Sequence, residues 1–118
     1  MQAVSIHVVD IANGRVAVGM AVEVWREENG LRHVATGTVG SNGVVSALEG
    51  HEQFEPGTYE LRLHLAAYYR EHGTQLPDPP FIDVALFRFT LRDTSQHCHL
   101  PFKLTPWGLS CFRGVNVT

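Results

Sequence analysis

Apolar and polar positions alternate with a period of two along most of the chain, the spacing of strands with one buried face. In Val4 to Asp10, Val4, Ile6 and Val8 share one face and Ser5, His7 and Val9 the other. Asn13-Gly14 then predicts a turn. Met20 to Trp25 sets Met20, Val22 and Val24 against Ala21, Glu23 and Trp25. A polar turn at Glu27-Glu28-Asn29-Gly30 leads into a returning strand, Leu31 to Val39. Ser41-Asn42-Gly43 marks another turn before the short apolar segment Val44-Val45. Tyr59 to Leu65 is the cleanest alternation, Tyr59, Leu61, Leu63 and Leu65 against Glu60, Arg62 and His64. Ala66 to His72 predicts the one helix, which Gly73 can stop.

Leu76-Pro77-Asp78-Pro79-Pro80 is a connector in which neither helix nor central strand persists. Phe81 to Leu91 reads as a long strand, and Asp93-Thr94-Ser95-Gln96 turns the chain into a closing hairpin. That hairpin pivots on Thr105-Pro106-Trp107-Gly108, with proline and glycine at the positions a tight turn favours. Its first strand divides into Cys98, Leu100, Phe102 and Leu104 on one face and His97, His99, Pro101 and Lys103 on the other. The first set is a core face. Imidazole and ammonium groups aligned along the second need solvent, a partner or a chemical task.

About eight short strands and one helix predict an antiparallel β-sandwich, folded as a single domain over residues 1–118. Edge strands left by such a sandwich favour oligomerisation through sheet edges. The 44 % hydrophobic and 18 % charged content describe an ordinary soluble chain. A net charge of −3 gives no electrostatic reason to expect nucleic acid or an anionic membrane. No apolar run approaches the roughly 20 residues of a transmembrane helix, and Met1 to Ser5 lacks a signal-peptide pattern, so a cytoplasmic location is expected. The hairpin turn sets Cys98 opposite roughly residue 115 and away from Cys111, so two small buried hydrophobes are expected and no disulfide.

Two separated motifs carry a family resemblance. Ser5-Ile6-His7-Val8-Val9-Asp10 with Asn13-Gly14-Arg15 resembles the opening motif of the transthyretin-related 5-hydroxyisourate hydrolases. Cys98-His99-Leu100-Pro101 through Pro106, Gly108, Ser110 and Arg113-Gly114 resembles their closing motif. Trp25, Asn42-Gly43, Gly57-Thr58-Tyr59 and Pro80-Phe81 fall in register between them. The resemblance implies two four-stranded sheets, one short helix, dimers formed by edge pairing, and a homotetramer with its sites at the subunit interface. It also implies hydrolytic ring opening of 5-hydroxyisourate, a purine breakdown product.

Carried over residue by residue, the family's two histidines are His7 and His99. The family arginine after the Asn-Gly turn is Val44, the closing tyrosine is Phe112 and the closing serine is Val115, whereas Arg113 and Gly114 match. Lys103 stands where the family is usually aliphatic. His7, His99 and Lys103 are therefore the candidate catalytic residues, and Val44, Ser110, Phe112 and Arg113 the candidate substrate-binding ones.

A neutral imidazole can take a proton from water attacking a carbonyl while a second orients or protonates. The plain alternative for each is a half-exposed strand histidine bonded to backbone, which is the reading kept for His33, His51, His64 and His72. His97, at the strand start, is placed at the rim. Lys103, on the His99 face roughly 13 Å along the strand at about 3.3 Å per residue, is a reactive amine, anion anchor or proton donor, or else simply reaches water.

His97-x-His99 with His7 lacks a carboxylate or cysteine on the same face, so no metal and no cofactor are expected. Val44 and Phe112 cannot supply a guanidinium fork or a hydroxyl. The expectation is thus a hydroxyisourate-hydrolase-like enzyme acting on an altered, less polar lactam-like ring. The alternatives are a non-catalytic transthyretin-like carrier and a true 5-hydroxyisourate hydrolase.

Overall fold

In the computed structural model, which describes residues 3–45 and 54–114, the strands form two four-stranded sheets. Their elements are β1 (Val4–Asp10), β2 (Arg15–Val16), β3 (Ala21–Glu27), β4 (Leu31–Thr38), β5 (Gly57–Leu63), α1 (Leu65–Glu71), β6 (Ala85–Leu91), β7 (Cys98–Thr105) and β8 (Gly108–Cys111). One sheet runs β2-β1-β7-β8 and the other β4-β3-β5-β6. The pairs are antiparallel except the central pair of the first sheet, β1 and β7, which is parallel.

The inner faces are those the alternation predicts. Val4, Ile6 and Val8 of β1 and Leu100, Phe102 and Leu104 of β7 are buried against Val22, Val24, Leu61 and Leu63 of the opposite sheet. Phe87 and Phe102 meet edge to face across the sandwich, ring centroids 5.5 Å apart, the geometry the aromatic quadrupole favours.

Two boundaries differ from the sequence reading. Leu65 opens α1 instead of ending β5, so the strand stops at Leu63 and Leu65, Ala66, Tyr68 and Tyr69 form the buried face of the helix. That turn of the chain also shortens the neighbouring strand. Leu63 pairs with Ala85, and with the helix beginning beyond Leu63, residues 81–84 have no strand to pair with. β6 therefore starts at Ala85, and Phe81 is 72 % exposed. Gly73 follows the helix with φ of +82°, and Thr74 N–H donates to the Tyr69 carbonyl at 2.9 Å, closing the end as expected.

The closing hairpin turns over Pro106-Trp107, and β7 pairs with β8 through Phe102–Cys111, Lys103–Ser110, Leu104–Leu109 and Thr105–Gly108. Both thiols are free, Cys98 buried and Cys111 half-buried. Among the described residues no helix is long and apolar enough to cross a membrane.

Candidate active site

Residues paired across neighbouring strands project to one face, so the registers decide what assembles on the outer face of the β1–β7–β8 sheet. Three rows result. The first joins Ser5, His99 and Gly114; the parallel register sets Ser5 level with His99, and an antiparallel bridge adds Gly114. The second joins Val44, His7 and Pro101, through a bridge and the parallel register. Continuing the β7–β8 pairing brings Phe112, 54 % exposed, to the end of this row. The third joins Val9, Lys103 and Ser110. Lys103 thus lies roughly 7 Å beyond the His7 row, two residues along β7, closer to His7 than its distance from His99 along the strand suggests.

His7 and His99 come together with ring centroids 6.4 Å apart, from elements more than ninety positions apart in the chain. The Ser5 hydroxyl bonds His99 Nδ1 at 2.6 Å and His97 Nε2 at 2.8 Å. The His97 and His99 rings are nearly parallel, 17° between planes and 6.5 Å between centroids. Burial holds the His99 imidazole below the ordinary histidine range, and the His7 and His97 rings push the same way. His99 is accordingly neutral at neutral pH, the form able to accept a proton. The Gly114 N–H also donates to the His99 carbonyl at 2.6 Å, anchoring its backbone.

Backbone geometry at the Asn-Gly turn fixes His7. Gly43 has φ of +85°, and a Cβ built there would lie 2.5 Å from His7 Nε2 and 2.9 Å from Val16 Cγ1. The turn therefore packs directly on the imidazole. Glycine alone permits both the left-handed backbone and the approach.

Arg113 is not on this face. The β7–β8 pairing places it opposite Leu100, on the core side, where it lines a cavity of about 520 Å³ with Phe87, Phe89, Cys98 and Leu100. Its Nη2 donates to the His97 carbonyl at 3.4 Å and its Nη1 to the Gly114 carbonyl at 3.3 Å, so it braces the first row from behind. Neither His7 nor His99 lines that cavity; theirs is an open sheet face, which encloses a ligand only when a second surface is set against it.

Ser110 lies beside Lys103, both exposed. Val115 and His51 lie outside the described residues. His33, His64 and His72 are bonded locally, to Thr36, Glu23 and the Tyr68 carbonyl. Among the described residues no three histidine, cysteine or acidic side chains are placed to hold a metal ion. The sequence reading passed over Ser5 and Gly43. Both sit inside the motifs quoted above, but only lateral pairing shows that they touch the histidines.

The model of the HIUase/Transthyretin family matches residues 4–114. The chain is 40 % identical over 111 residues to 5-hydroxyisourate hydrolase 2 of Rhizobium meliloti, covering 92 % of each protein. Among solved structures it resembles the 5-hydroxyisourate hydrolase of Klebsiella pneumoniae, with a TM-score of 0.79 and 26 % identity over 95 % of this chain and 97 % of that one. Sea bream transthyretin in complex with thyroxine shares the fold, with a TM-score of 0.86, 24 % identity and 98 % coverage of both chains.

Proposed function

The chain belongs to the HIUase/Transthyretin family, and from that premise we propose that it is a 5-hydroxyisourate-hydrolase-like enzyme. It opens a small lactam-like ring less polar than 5-hydroxyisourate, in sites completed by a second copy of the chain in a homotetramer. The observation that carries this reading is the His7–His99 pair, 6.4 Å apart on one sheet face, with His99 held neutral by burial. In the proposed reaction His99 takes a proton from water as the oxygen attacks the ring carbonyl. The C–N bond then breaks and the leaving nitrogen receives a proton, with His7 orienting the carbonyl or the water.

The shift in substrate rests on the second row. Where a guanidinium would clamp an anionic heterocycle, Val44 stands bridged to His7, and at the far end Phe112 carries no hydroxyl. Lost hydrogen-bonding partners of this kind cost about 1–3 kcal/mol each. Lys103, one row beyond, is proposed as an anchor for a carboxylate or other anionic edge of the substrate, with Ser110 beside it. Two relatives' names favour a second reading, that 5-hydroxyisourate itself is the substrate.

One assay separates the two. Freshly generated 5-hydroxyisourate is followed by its ultraviolet decay with wild type, His7→Ala, His99→Ala and the double variant Val44→Arg/Phe112→Tyr. Slow wild-type turnover that the double variant raises supports the altered substrate. Fast wild-type turnover with no gain from the double variant overturns it in favour of 5-hydroxyisourate. Full activity in either alanine variant removes the histidine pair from both readings.

A further inference from the structure

We infer that Ser5 and His97 form a proton relay behind His99, with Ser5 a positioning residue that sets which ring nitrogen of His99 carries hydrogen. The inference rests on the reading above that His99 is the base. Its basis is a counting argument at one hydroxyl. Ser5 Oγ lies 2.6 Å from His99 Nδ1 and 2.8 Å from His97 Nε2. A hydroxyl carries one hydrogen, so it donates to at most one of the two rings, and at least one ring must present an N–H to it. The tautomers of the two rings are therefore linked.

In the resting arrangement His99 Nδ1–H donates to Ser5 and the Ser5 O–H donates to His97 Nε2. His99 Nε2 is then bare and can act as a base. When it takes a proton from the attacking water, the Nδ1 hydrogen passes to Ser5 as the Ser5 hydrogen passes to His97 Nε2. His99 is left neutral with hydrogen on Nε2, the acid form, and the positive charge rests on His97. Release of the Nε2 hydrogen to the leaving nitrogen reverses the relay and restores the starting state. The proton from water ends on the leaving nitrogen, the hydroxide on the carbonyl carbon, and no other reactant is consumed.

The surroundings favour this route. A charge held on His99 would face His7 across 6.4 Å in a partly desolvated position. His97 is one ring further from His7, where the chain enters the sheet. Among the described residues, Lys103 lies on the same face of β7, and Arg113 donates to the His97 carbonyl from the core side. The parallel register is what makes the arrangement possible, because it sets the short Ser5 side chain level with His99.

The test reads the tautomer directly and needs no substrate. In protein labelled with 15N-histidine, long-range proton–nitrogen correlations above the titration of the rings assign hydrogen to Nδ1 or Nε2. Wild type is expected to show His99 protonated on Nδ1. Ser5→Ala should move it toward Nε2, and Ser5→Thr, which keeps the hydroxyl, should restore it. An unchanged tautomer in Ser5→Ala overturns the relay. In the ring-opening assay, Ser5→Ala and His97→Gln should each lower kcat ten- to a hundredfold with little change in KM, while Ser5→Thr stays within a few-fold of wild type. Equal losses in Ser5→Ala and Ser5→Thr also overturn it, since only packing would then be at stake. A protein that shifts tautomer as expected but leaves 5-hydroxyisourate untouched removes 5-hydroxyisourate as the substrate and keeps the relay.

Discussion

Asp10 and His7 stand three residues apart on β1, and the pleat sends one inward and the other outward. Inward, Asp10 is fully buried and fully satisfied. Its Oδ1 accepts from Tyr69 Oη at 2.8 Å, and its Oδ2 accepts from Tyr68 Oη at 2.9 Å and Asn13 Nδ2 at 2.8 Å, with Arg15 Nε 3.6 Å away. Burial pushes this carboxyl up, but the bonds from Asn13, Tyr69 and Tyr68 together outweigh it and hold the group below the ordinary aspartate value. The cluster pins α1 to the first sheet. Outward, His7 and His99 share a half-buried face on which donors and acceptors are left for something else. One strand thus carries a closed polar network that stabilises the fold and an open one that is available for chemistry.

The difference can be broken from either side. His7→Ala and His99→Ala should lower turnover about 10²–10⁴-fold, the usual worth of a positioned acid or base, with the denaturation midpoint unchanged or raised. A midpoint that falls with activity would make the histidine face structural.

Asp10→Ala should do the reverse. It removes the carboxylate acceptor of two buried phenols, leaving Tyr69 only its 3.2 Å bond to the Leu104 carbonyl. With a lost partner costing about 1–3 kcal/mol and Tyr69 losing only in part, urea denaturation should show a fall of roughly 2–4 kcal/mol while activity per folded molecule holds. The wild-type contribution follows pH accordingly: because the folded value lies below that of the unfolded chain, the stabilisation is present above pH 3.8 and is lost as pH falls through the folded value.

Gly43→Ala sharpens the contrast, since it touches the open network through the backbone alone. The left-handed conformation should cost about 1–2 kcal/mol, and the new Cβ must displace His7. Activity should therefore fall further than stability predicts, though less than in His7→Ala. A crystal structure with His7 unmoved would refute this.

The smallest effect is on the pH dependence of stability. The unfolded chain takes up a proton on His99 near pH 6.5, whereas the folded chain, with this group held lower by burial and by His7 and His97, resists it. Stability should drop as pH falls from 6.5 toward the folded value and be unaffected above it. His99→Gln should flatten that slope; an equal slope in both proteins would mean that the pocket does not disfavour the charged ring.

Much of the candidate site was legible because its residues lie in strands with unambiguous alternation. His7 and His99 fall on polar faces by parity alone, and Val44 follows an Asn-Gly turn visible in the sequence. Arg113 was not legible. Its motif matched, yet the β7–β8 pairing turns it to the cavity side, opposite Leu100. Residues 81–84 failed for a different reason. They have strand-like residues, but the neighbouring chain becomes a helix after Leu63 and offers no hydrogen-bonding edge.

The sequence by itself determined which side chains face inward, where the chain turns and where the helix stops, because these depend on a period of two and on the local freedom of glycine and proline. Only the tertiary structure decided which strands lie side by side. That choice made β1 and β7 parallel, set Ser5 level with His99, brought Val44 against His7 and closed Tyr68 and Tyr69 around Asp10. Lateral partners are selected by burial and pairing between segments far apart in the chain, and local alternation carries no information about them.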